Sequence, residues 1–149
     1  MTAIPIGRLL RANTTGCVMG CRLNQGSAPA FGDMIRIPLN DGKHIYGLVH
    51  EIHIDDDGLV RQLVSTEVSP EIIEDNRQNR NVPIEMSVVF IGWMDEHGRV
   101  YHTRVPYPPL TLDEIFPCGD EDILRFTHTD HPGYLRAILR NDELPAADL

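Results

Sequence analysis

The sequence has 149 residues, 42% of them apolar and 23% charged, the size and make-up of one globular domain that buries a core without disulfides or metal. No run nears the ~20 apolar residues of a membrane helix, and Met1 to Leu10 lacks the basic and apolar regions of a signal peptide, so a cytoplasmic location is expected. The net charge of −9, from 13 basic and 22 acidic residues, argues against direct nucleic-acid binding over a broad surface.

In chain order, residues 4–11 predict a first strand, with Ile4, Ile6 and Leu10 on one face. Asn13 to Gly16 is a turn cluster, and residues 17–23 a second strand with Gly20 as a bulge or close-approach point. A polar loop runs from Asn24 to Gly32. Asp33 to Leu39 is a third strand with Ile35, Ile37 and Leu39 on one face. Asp41-Gly42 makes a tight hairpin turn into the long strand His44 to Ile54, where Tyr46, Leu48, His50, Ile52 and Ile54 alternate. Asp55 to Gly58 turns again, and Leu59 to Ser65 returns as a strand. Ser69 to Arg80 reads as a polar helix, with Ser69 as cap and Pro70 at the first position.

Val82 to Met94 is the other strong strand. Met86, Val88 and Phe90 face one way and Val89, Ile91 and Trp93 the other, so its second half is buried on both sides. Asp95 to Gly98 is a turn and Val100 to Val105 pairs back. The prolines of Pro106-Tyr107-Pro108-Pro109 end the sheet, because proline gives no amide to a ladder. Thr111 caps a short turn through Phe116. Asp120 to Phe126 and His131 to Asn141 predict helices, the second with Tyr134, Leu135, Ile138 and Leu139 as an apolar stripe. That stripe either packs on its own domain or presents an interface. The fold class expected is mainly β: a small closed six- or seven-stranded antiparallel barrel over residues 1–109, then a short helical tail over 110–149.

Chemistry is sparse. The one lysine, Lys43, precedes His44 in a turn and belongs to no P-loop. Asp55 to Gly58 fails the calcium-loop pattern, since Gly58 at the sixth position puts His53 first and Val64 twelfth. His44 and His50 share a strand phase but lie roughly 20 Å apart at 3.3 Å per residue. His50 and His53 point to opposite faces, and His128 and His131 have no third partner in sequence. Cys17 and Cys21 on one straight strand are about 13 Å apart, too far for a disulfide, and read as small buried apolar residues. None of Ser27, Ser65, Ser69 and Ser87 stands in a nucleophile elbow. No catalytic, cofactor-binding or metal-binding residue is assigned, and no enzyme activity or cofactor is expected. Four arginines, Arg8, Arg11, Arg22 and Arg36, stand against Asp33 in the first 40 residues, the makings of a local basic face or of four scattered side chains.

Several segments in this order resemble the HAS-barrel, the N-terminal domain of HerA-type ring ATPases and ATP synthase catalytic subunits. They are Ile6-Gly7-Arg8-Leu9-Leu10, then Asn13-Thr14-Thr15, then Phe31-Gly32-Asp33-Met34-Ile35-Arg36-Ile37 and Gly42. Ile45-Tyr46-Gly47-Leu48-Val49-His50-Glu51-Ile52 follows, and Val88 to Trp93 and Arg104 to Pro109 look like the family's last strand and exit. The resemblance covers about residues 4 to 110. It implies a closed barrel that sits as a crown on a hexameric ATPase and serves ring assembly and partner docking. In HerA-type proteins that ring is a DNA translocase working with a nuclease. The family has no catalytic residue in this domain. Where its ATPase domain should follow, this sequence has the helical tail, and the exit lacks the Pro-Gly of the pattern. The function expected is a non-catalytic module that assists a separately encoded P-loop ring ATPase or nuclease in DNA processing, with homo-oligomers also open. The alternative is a stand-alone barrel that binds a small ligand or a metal, with His50, Cys17 and Cys118 as the residues concerned.

Overall fold

The computed structural model describes residues 4–21, 29–54, 64, 67, 69–73, 84–129 and 131–140. Seven strands, β1 (Gly7–Ala12), β2 (Gly16–Cys21), β3 (Met34–Pro38), β4 (His44–His53), β5 (Ile84–Met94), β6 (Val100–Tyr101) and β7 (Glu114–Pro117), precede helices α1 (Asp120–Thr127) and α2 (Tyr134–Leu139). The strands run in the order β2-β1-β7-β3-β4-β5-β6, and a further β2–β5 pairing closes the first six into a barrel, with β6 as an extra strand on β5. Every pairing is antiparallel. The antiparallel neighbours β3-β4-β5, with β2 beside β5, are in Greek-key order, and closure removes the exposed edges.

The turns form as their residues dictate. Gly42 (φ 88°) and Gly98 (φ 84°) supply the left-handed conformations of the β3–β4 and β5–β6 hairpins. In the β1–β2 turn the Asn13 Oδ1 accepts from the amides of Thr15 and Gly16, at 2.8 and 3.0 Å. Ser69 starts a helical turn at residues 70–73, its carbonyl accepting from the amides of Ile72 and Ile73. The turn expected at Asp55 to Gly58 and the helix beyond Ile73 lie outside the described residues. So does the expected strand Leu59 to Ser65, apart from Val64, which is helical and exposed.

Two apolar clusters share β5. Ile84, Met86, Val88 and Phe90 point into the barrel with Leu9, Met19, Ile35, Ile37, Ile45 and Val49. Val89, Ile91 and Met94 point outward, where Phe126 of α1 and Ile138 of α2 cover them together with Tyr46. A register shift opposite Tyr46 and Gly47 skips Ile91, and this bulge turns Trp93 back to the interior cluster. Trp93 therefore leaves the face expected for it. Gly92 lets the helix approach: a Cβ there would meet the Tyr101 carbonyl oxygen and lie 2.7 Å from Phe126 Cζ.

Several sequence expectations are corrected. In β4 the interior face is Ile45, Gly47 and Val49; Tyr46 and Leu48 pack outward under the helices, and Ile52 and Ile54 are exposed. Both sides of its first half are apolar, so alternation alone could not say which was inside. In β1 the core residue is Leu9 rather than Leu10, where a bulge between Leu9 and Arg11 breaks the phase, and Ile4, ahead of the strand, is exposed. Gly20 pairs regularly with Arg8 and Glu85, so it is no bulge, while its carbonyl oxygen does approach closely, 2.6 Å from where a Cβ at Gly7 would lie. β6 stops at Tyr101, since His102 leaves the ladder to donate from Nε2 to the Phe126 carbonyl oxygen at 2.7 Å. The residues around Phe116, expected as a turn, are strand β7, which bridges β1 and β3 and closes the barrel from beyond residue 109.

Candidate functional site

Arg8, Arg11 and Arg36 each pair with a different carboxylate. Arg8 donates to the Leu112 carbonyl oxygen at 3.1 Å and pairs with Glu114 at 3.4 Å. Arg36 lies 3.9 Å from Asp122 and stacks over the Phe116 ring, pinning α1 to the barrel wall. Arg11 pairs with Glu85 at 3.6 Å. Arg22 lies outside the described residues. Of the three described, only Arg11 reaches the cavity described next.

That cavity is an open cleft of about 950 Å³ between the β1–β2 turn, the segment after β6 and the outer side of α2. Among the described residues Arg11, Arg104, Arg136 and Arg140 line it, with His50 and His102, and no described Asp or Glu does. Arg136 and Arg140 are one helical turn apart on α2, so their side chains rise from the same face. Among the described residues Arg104, Arg136 and Arg140 have no ion-pair partner, and all three are exposed. At the cleft wall the Thr103 hydroxyl accepts from the Trp93 indole at 3.2 Å, which leaves its own proton to donate. The sequence carries one trace of this site: Arg136 and Arg140, four apart at a short helix.

A second surface feature is the turn before β7. The Leu110 carbonyl accepts from the Asp113 amide at 3.1 Å, while Asp113 Oδ2 accepts from the Leu110 amide at 2.8 Å. Leu112 stands third in this β-turn with φ 70°, the only non-glycine with positive φ among the described residues. Type II turns fill that position with glycine. For leucine the conformation costs roughly 1–2 kcal/mol. Its amide donates to Leu9 and its carbonyl accepts from Arg8, so the strand beside it holds the turn in place. Leu110 and Leu112 are nonetheless 63% and 60% exposed.

No protein-family model and no curated protein matches this chain.

The stripe on α2 divides. Ile138 is buried and Tyr134 packs with it against the outer cluster, whereas Leu135 and Leu139 are 41% and 68% exposed. Cys17, Cys21 and Cys118 are free thiols. Burial pushes Cys17 and Cys118 up to about 12 and raises Cys21 as well, so none is a thiolate at neutral pH. Among the described residues no three His, Cys, Asp or Glu side chains converge as a metal site, and no helix is long and apolar enough to cross a membrane. His50 lines the cleft half-buried.

Proposed function

We propose that this chain is a non-catalytic docking module, a HAS-like barrel that assists a separately encoded HerA-like ring ATPase or nuclease in DNA processing. The observation that carries the docking role is Leu112: a strained, exposed leucine held rigidly where glycine would sit without strain. Such a side chain is explained by what it touches, because within its own fold it gains nothing. Leu110 beside it and the exposed Leu135 and Leu139 of α2 add apolar surface of the kind that partners cover. The choice of partner rests on the HAS-barrel resemblance, and the closed antiparallel barrel agrees with the fold it implies. The three protonated thiols supply no nucleophile for the opposite, enzymatic reading.

The test is purification of the full chain from its native lysate at moderate salt, with mass spectrometry of what accompanies it. A stoichiometric P-loop ATPase or nuclease is the expected result, and a chain that comes down alone overturns the reading. The arginine-lined cleft favours a second role, small-ligand binding, in the same molecule.

A further inference from the structure

We propose that the cleft between the β1–β2 turn and α2 is a binding site for a compact polyphosphate, of the size of a tripolyphosphate or the phosphate chain of a nucleoside triphosphate. Among the described residues four guanidinium groups line it and no carboxylate does, in a chain whose net charge is −9; Arg11 pairs with Glu85 outside this lining, and Arg104, Arg136 and Arg140 have no ion-pair partner among those residues. A single carboxylate ligand would leave most of that charge unanswered, whereas a triphosphate carries three or four negative charges and its oxygens match the planar fork of arginine. The turn amides of Thr15 and Gly16 are spent on Asn13, so the donors are side chains: the arginines and the Thr103 hydroxyl.

The same features set the limits of the ligand. Among the described residues lining the cleft, Phe90 is the one Phe, Tyr or Trp, and it is buried in the barrel, so no such ring is open for a base to stack on. Recognition is therefore of the phosphates and indifferent to the base. An extended nucleic-acid strand would run beyond the cleft over a chain whose net charge is −9, while a compact ligand stays inside it. At physiological salt the Debye length is about 8 Å, so the distant acidic charge is screened and the near arginines dominate. The site stands on the cleft alone and does not depend on the docking role.

The test is titration of the full chain with sodium tripolyphosphate, ATP and GTP without magnesium, citrate, and a ten-nucleotide thymidylate strand, at 150 mM salt. Trp93, the single tryptophan, bonds directly to a cleft hydroxyl, and its fluorescence reports occupancy beside the calorimetric heat. Tripolyphosphate, ATP and GTP are expected to bind within about threefold of one another, and at least tenfold tighter than citrate or the DNA strand. Arg136→Ala with Arg140→Ala is expected to weaken binding at least tenfold while leaving the circular dichroism spectrum and melting temperature unchanged. Replacing both with lysine, which keeps charge but not the fork, should fall between. Absence of binding at 1 mM, citrate or DNA binding as tightly as tripolyphosphate, or an alanine double variant that binds like the wild type would each overturn the site.

Discussion

The barrel wall and its rim follow opposite rules. Along the wall each residue agrees with its neighbours: β5 alternates between an interior cluster and the cluster under α1 and α2, and glycine stands where a ring needs room. On the rim local preferences are broken. Leucine sits in a glycine conformation in the turn before β7, and four arginines gather around a cleft with no carboxylate among its described lining residues. Wall residues are explained by folding, and the proposed roles assign the rim residues to binding. Substitutions on the wall should therefore cost stability, and substitutions on the rim should cost binding.

The largest effect is expected at Phe126, which is fully buried between Tyr46, His102 and Gly92. Phe126→Ala should lose about 3–5 kcal/mol in urea unfolding. Alkaline pH should weaken the same wall. Burial raises Cys17 and Cys118 from 9.0, and Tyr46 from 10.0, to about 12. Their contribution is complete below pH 9 and is lost as pH rises through 12, so the urea midpoint should fall steadily across that range. Gly92→Ala, which forces a methyl group against Phe126 and the Tyr101 carbonyl, should cost about 1–3 kcal/mol.

The rim should behave otherwise. Leu112→Gly relieves the backbone strain but gives the unfolded chain more freedom, so its stability should match the wild type or exceed it by up to about 1 kcal/mol. The alanine double variant at Arg136 and Arg140 should lie within about 0.5 kcal/mol of wild type, since both side chains are exposed and, among the described residues, unpaired. A rim variant that unfolds the protein would erase the distinction between the two regions.

Much of the wall was legible in the sequence. Asp41-Gly42 and Gly98 announced their hairpins, and the alternation of Ile35 and Ile37 marked their inward face. The acidic first turn of α1 marked its start. Legibility failed where two constraints overlapped. β4 is apolar on both sides, so its phase was ambiguous, and the bulges in β1 and β5 shift the period by one residue. β7 is four residues ending in proline, too short to show a period, and only its neighbours β1 and β3 make it a strand. The rim was hardly legible. Arg8 meets Glu114 across 106 positions, and Arg11 and Arg136 reach one cleft from opposite ends of the chain. Leu112 shows no sequence signal at all, because its strain exists only once the turn is closed.

The docking role is tested most directly by comparing wild type and Leu112→Gly side by side, each melted for stability and each used to capture partners from the native lysate at moderate salt. The expected result is a variant at least as stable as wild type that no longer retains the stoichiometric P-loop ATPase or nuclease that the wild type holds. Equal capture by the two proteins, or a wild type that retains neither, would contradict it.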